Sequence, residues 1–432
     1  MRLRSLPLVL AFAAFAQAQT ASPMPPLVPG WVAQWALRSR GGAEVATAAP
    51  GGSAAWRVVT GQNDAPPMSD GMRVVVVHAN PKRVEALDPA TGRSLWAVPF
   101  TGLLDQPPQF AGEAVVFALE GGRVVVLDAA TGALRHLLRL PPWKSARGGG
   151  APARLRLLFP AVSGQTLVAG WHTPGQESRP EQGLFAFDLG TGALRWAAAL
   201  PGASEVHPLV MGNRVVAGGD GQLTMLDLET GRTVWISRTP RRASFESAQL
   251  IEDRLFVRTA QELLALDPVT GRVLWTQEAP GCSLLVGAGD RIAFTLPRGT
   301  FNPTEWVVAY NARTGERAWE READEARQPW IQGGRLLINA KEELQALDLM
   351  TGTALWRRDL TGALLLPLRV QGEAVLALHR ARGGTRLAAY RLTDGVESWS
   401  TLVKERTGTG LLLAGPKAIL LPLPEGGLVG LR

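Results

Sequence analysis

One eleven-residue pattern recurs eight times along this 432-residue chain: a strand-length apolar run ending in Asp, two residues, Thr-Gly, three residues, Trp. The copies are Asp88, Thr91, Gly92, Trp96; Asp128, Thr131, Gly132, His136; Asp188, Thr191, Gly192, Trp196; and Asp227, Thr230, Gly231, Trp235. They continue with Asp267, Thr270, Gly271, Trp275; Asn311, Thr314, Gly315, Trp319; Asp348, Thr351, Gly352, Trp356; and a degenerate Arg391, Asp394, Gly395, Trp399. Successive copies are 40, 60, 39, 40, 44, 37 and 43 residues apart. That period is the length of a four-stranded propeller blade and is too long for a leucine-rich repeat.

Each position of the pattern has a local mechanical reason. The run before the Asp is apolar and short, and the Asp stands where the strand must end. Its carboxylate can accept backbone N–H bonds from the turn it opens, while the Gly four residues on can take the positive φ of a tight reversal. Pro89 and Pro268 follow their Asp where a type I turn favours a fixed φ. The pattern therefore predicts a hairpin, and Trp on the returning strand reads as a packing residue between neighbouring blades. Seven of the fourteen Trp occupy that place, so most of the indole is expected to be architectural. His136 stands there in the second copy and reads as a smaller packing residue; no second His lies nearby at metal-ligand spacing.

The chain between copies supplies the remaining strands. In the fourth unit, residues 207–211, 214–217 and 222–226 are apolar runs separated by Gly, Asn and Asp turns, and residues 247–251, 254–259 and 263–266 repeat that order in the fifth. No room is left for helices. After Trp399 only three strands remain, at residues 411–414, 418–421 and 427–431, so a fourth must come from elsewhere. Residues 31–38 and 54–59 are the candidates, and Gly52 with Trp56 matches the Gly-x-x-x-Trp half of the repeat. Pairing that strand with the C-terminal ones would close the ring and remove sheet edges. The expected fold is all-β: a propeller of eight four-stranded blades, with a ninth, split blade as the alternative count.

Arg2 and Arg4, an apolar run over residues 6–16, and Ala16-Gln17-Ala18 read as a secretory signal peptide cut before Gln19, leaving residues 19–432 as one exported domain. No later window is long and apolar enough to span a bilayer, since 411–423 is interrupted by Gly415, Pro416, Lys417 and Pro422. No Cys stands at the cleavage site to carry a lipid. Cys282, the sole cysteine, rules out an intramolecular disulfide and reads as a small buried hydrophobe. A formal charge of +7, dispersed over Arg-rich turns without aromatic interleaving, speaks against nucleic acid as a partner.

The third unit is about 20 residues longer than the others, judged by its 60-residue step. Its extra chain holds Trp143, Lys144, Arg147, Arg154 and Arg156, and long propeller loops usually carry contacts. These five residues are the expected partner-binding site, an aromatic anchor with guanidinium groups. The alternative is a disordered insertion followed by an ordinary inner strand, with residues 154–159 as that blade's first strand.

The eleven residues from Ala86 to Trp96 resemble the repeat of the pyrroloquinoline-quinone (PQQ)-like propellers, and the resemblance covers nearly all of the mature chain. Within that family the outline is similar to the non-catalytic branch that serves as docking scaffolds for outer-membrane protein assembly. The quinoprotein dehydrogenase branch holds its quinone over a vicinal disulfide and uses a calcium ion and a catalytic Asp; one Cys and no Asp-x-Asp-x-Asp loop do not match it. No Gly-x-Ser-x-Gly elbow, His-Glu-x-x-His or phosphate loop is present, and Gly408-Thr409-Gly410 reads as a turn. The five histidines, at 78, 136, 172, 207 and 379, are scattered.

The sequence thus favours an exported, monomeric, non-enzymatic scaffold that binds envelope proteins, with no catalytic residues, metal or cofactor. The structural repeat is carried by Asp88, Gly92, Trp96, Trp196, Trp235, Trp275, Trp319, Trp356 and Trp399. A PQQ-dependent oxidoreductase or small-ligand sensor using the central funnel is the rival reading. A carbohydrate-binding propeller has no supporting constellation.

Overall fold

The computed structural model describes residues 54–60, 65–140, 156–172, 182–200, 208–219, 221–239, 245–299, 303–323, 326–340, 342–360, 362, 368–403, 412–413, 419–423 and 427–431. They form nine four-stranded antiparallel sheets and contain no helix. Eight are continuous in sequence, starting from Met68–Ser69, Leu104–Ala111, Arg156–Ser163, Leu209–Met211, Phe245–Ile251, Val286–Ala288, Arg327–Gln332 and Arg369–Gln371. The ninth is split. Ala54–Val59 pairs with Gly427–Leu431, which continues to Ile419–Pro422 and Leu412–Leu413. The ring therefore has nine blades, the split-blade count, and closes with the N-terminal strand 54–59; residues 31–38 lie outside the described residues.

First strands of successive blades approach one another around most of the ring, and Leu412–Leu413 of the ninth meets Met68–Ser69 of the first. These strands line the axis, and the fourth strand of each blade is outermost. Middle strands are buried on both faces, as Ala114–Leu119 is along its whole length, because each sheet is sandwiched between two others. That explains the unbroken apolar runs of the sequence. Nine apolar clusters fill the nine seams between adjacent blades, including one that joins Val76 and Leu87 of the first blade to Leu420 and Leu428 of the ninth.

The motif forms the predicted hairpin. Asp88 Oδ1 accepts the N–H groups of Ala90 and Thr91 at 2.9 and 2.8 Å, and the Asp88 carbonyl accepts from Gly92 at 2.8 Å. The eight motif glycines have φ between 66° and 73°. In the returning strand Trp96 pairs with Ala86 but Ser94 pairs with Leu87, so Leu95 is the extra residue of a bulge. The bulge turns Trp96 into the seam and leaves Leu95 48% exposed. In the eighth copy Arg391 replaces the Asp, and it pairs with Asp394 instead.

Candidate functional site

The repeat's polar groups are spent on the fold. Six of the seven motif indoles cross to the next blade, where Nε1 donates to the carbonyl of the residue after the motif's first position. Trp96 reaches Ala129 at 3.0 Å, Trp196 Leu228 at 2.8 Å, Trp235 Pro268 at 3.1 Å, Trp275 Ala312 at 3.1 Å, Trp319 Leu349 at 3.0 Å and Trp356 Leu392 at 2.9 Å. His136 makes the same contact, its Nε2 donating to the Leu189 carbonyl at 3.0 Å. It is a packing residue in the Trp position. Trp96, Trp196, Trp235, Trp356 and Trp399 are buried, whereas Trp275 and Trp319 are only partly so, short of the full burial expected of the repeat.

The motif carboxylates are equally committed. Asp188 is held at about 2 by its ion pair with Arg195 and the Thr191 amide, and Asp128 is depressed further by Arg135 and Thr131. A carboxylate so stabilised as the anion is a poor proton acceptor near neutrality.

Topology divides the ring into two unlike faces. Motif turns and the hairpins between first and second strands lie on one face. The strand ends joined by crossings between blades and the hairpins between second and third strands lie on the other, and with them Arg139 and Arg156, the strand ends that the longest connection joins. Of the five residues expected to bind partners, Trp143, Lys144, Arg147 and Arg154 lie outside the described residues. Arg156 opens the first strand of the third blade, in register with His172. That corresponds to the strand alternative for residues 154–159.

Chemistry that the sequence pattern did not single out sits at the crossing-face ends of the second and third strands. His78 and Glu85 are buried and bonded at 2.6 Å, with Arg83 3.4 Å from the same carboxylate oxygen. Burial and Arg83 both lower the His78 pKa, against the pull of Glu85. Buried Arg258 donates to the Cys282 carbonyl and, at 3.3 Å, to Ser247, and lies 3.3 Å from Glu246. Cys282 is buried, and its thiol is pushed up to about 11 by desolvation, which makes it unreactive. His379, fully buried, has neither ring nitrogen hydrogen-bonded, and burial lowers its pKa. It forms a wall of a cavity of about 310 Å³ between the seventh and eighth blades, shared with Arg358, Asp359, Leu360, Arg386, Tyr390 and Glu397. The sequence signal was present in part: His78 and His379 each end an apolar run and face an Arg across the next strand.

The described histidines do not converge, and the described residues hold no group of three or more His, Cys, Asp or Glu placed to bind a metal ion. A buried lone cysteine and hydrogen-bonded turn aspartates do not fit the quinone-and-calcium site that the dehydrogenase branch implies.

Comparison with known proteins places this geometry. The family model described as outer membrane protein assembly factor BamB matches residues 40–172, 143–283 and 303–432. The Legionella pneumophila protein of that name is 26% identical over 187 residues, covering 40% of this chain and 47% of that protein. The Kangiella koreensis one is 31% identical over 121 residues, covering 25% of this chain and 30% of its own length. The chain thus spans less than half the length of the curated relatives it matches. Among solved structures, BamB from Moraxella catarrhalis is 21% identical with a TM-score of 0.49, covering 79% of this chain and 94% of that one. Quinohemoprotein alcohol dehydrogenase ADHIIG from Pseudomonas putida is 13% identical with a TM-score of 0.51, covering 97% and 78%, and shares the fold alone. With the family's repeat matched along most of its sequence, the chain belongs to the family of outer membrane protein assembly factor BamB.

Proposed function

We propose that this protein is an exported, non-catalytic docking propeller of the cell envelope that takes part in outer-membrane protein assembly by binding other envelope proteins. The observation that carries the reading is the family match over three stretches of the chain. The structure adds a physical argument for where partners bind. The motif face is built from carboxylates and amides already bonded to each other, so it has little left to offer a ligand. The crossing face carries the connections that differ from blade to blade, and irregular loops on a rigid ring are where contacts are made without cost to the core.

The test is in-cell crosslinking followed by affinity recovery of the tagged protein from the native envelope. Proteins of the outer-membrane assembly machinery should be recovered above an untagged control. Recovery of none of them overturns the reading. Titration with the quinone and calcium checks the alternative chemistry, and no saturable absorbance change is expected.

A further inference from the structure

The seam between the sixth and seventh blades opens at the crossing face into a cavity of about 590 Å³. Four carboxylates line it: Glu322 from the end of Arg317–Glu322, Glu342 and Glu343 from the hairpin entering Glu343–Asp348, and Asp359 from the end of Ala354–Asp359. One cation, Arg357, shares the lining and lies 3.3 Å from Glu343. A local excess of negative charge on a chain of formal charge +7 runs against the molecule as a whole.

The floor supplies an independent sign of a ligand. Gln345 is 4% exposed and lines the cavity, in register with Arg357 on the neighbouring strand. Its Nε2 donates to Glu343 at 2.6 Å, which fixes the amide's orientation and leaves Oε1 as an acceptor. That buried oxygen has no donor. A buried unsatisfied acceptor is costly, and incoming N–H groups would relieve it. Carboxylates around an open acceptor call for a ligand that is positively charged and rich in donors, which excludes anions and simple apolar groups.

We propose that this cavity binds a primary ammonium or guanidinium group, borne either by a Lys or Arg side chain of a partner protein or by a free amine. The head would donate to Gln345 Oε1 and sit among Glu342, Glu343 and Asp359, while Ala323, Ala340 and Leu360 on the same wall contact its methylene stem. The site does not depend on the outer-membrane assembly reading; it would stand for a propeller of any envelope role.

The experiment is isothermal titration calorimetry of the full protein at low ionic strength with capped Gly-Lys-Gly and Gly-Arg-Gly peptides, with cadaverine as the free amine, and with capped Gly-acetyllysine-Gly as the neutral control. Saturable binding of a cationic probe, absent for the acetylated one, is expected. Tighter binding of the peptides assigns the site to a partner's side chain, and tighter binding of cadaverine assigns it to a free amine. The double variant Glu342→Gln/Asp359→Asn, at exposed positions, should weaken binding at least tenfold with an unchanged melting temperature. Gln345→Leu should weaken it by a similar factor, and the shifted side-chain amide resonance of Gln345 in the bound wild type would report the contact directly. No saturable binding by any cationic probe, or equal affinity in wild type and the double variant, overturns the proposal.

Discussion

Gly271 shows how much one residue of the repeat does. Its φ of 71° already disfavours any side chain, and a Cβ there would stand 2.5 Å from the Trp235 ring. Gly is required twice over, for the turn and for the indole of the preceding blade. Gly271→Ala should therefore lower the melting temperature sharply, more than Gly212→Ala, which has a similar φ but open space around its Cβ. Trp235→Ala should destabilise by about 3–5 kcal/mol in denaturant titration, as large-to-small core changes do. Trp275→Ala should have a smaller effect because that indole is only partly buried. His136 faces Gly192 and the Leu189 carbonyl just as a repeat Trp would, so His136→Trp should be accepted with stability held or raised. The buried imidazole of His379 adds a pH dependence. Its folded pKa lies below the ordinary 6.5, so as pH falls past that value the unfolded chain takes up a proton the folded one resists, and stability declines. Comparing denaturation midpoints at about pH 7 and pH 5, His379→Gln should show a shallower decline than wild type.

At the scale of the strand and blade, much was legible from sequence. Residues 222–226 and 263–266 appear as Gln222–Asp227 and Glu262–Leu266, because period, turn residues and strand length all agree there. The closing strand was legible too: Ala54–Val59 pairs with Gly427–Leu431, and it raises the count to nine. What could not be read is everything that depends on which blade lies beside which. The indole-to-carbonyl bond joins residues 30 to 37 apart in the Trp copies, such as Trp319 to Leu349 and Trp275 to Ala312. Gln345 and His379 look like ordinary interruptions of strands until neighbouring sheets place cavities against them. The closure carries its own prediction. Removing the strand 54–59 would leave Gly427–Leu431 as an open, buried-type edge of mostly apolar residues. A chain lacking residues 54–59 should lose its single cooperative unfolding transition and form concentration-dependent aggregates by light scattering. A monomeric variant with an unchanged melting temperature would show that the split blade does not secure the ring.

Over the whole molecule, the regular and the irregular connections separate by face. Eight turns built on one plan hold the motif face, and their side chains are bonded within the turn or paired with a neighbouring Arg, as in Asp348 with the Thr351 amide, Asp188 with Arg195 and Asp128 with Arg135. The crossing face repeats no such plan. It carries the acidic cavity beside Gln345, the cavity walled by His379, and the ends of the long connection from Arg139 to Arg156. That connection follows the second blade's outer strand and precedes Arg156–Ser163, both of which pair within their own sheets. Deleting residues from its central part removes none of the described strands. Deleting residues 145–151 should leave the melting temperature within about 2 °C of wild type. Recovery of crosslinked envelope partners should fall if Trp143, Lys144, Arg147 and Arg154 form the contact surface. Full recovery with intact stability would move the partner site to other crossings of the same face, of which the one after Arg238 is the next basic candidate.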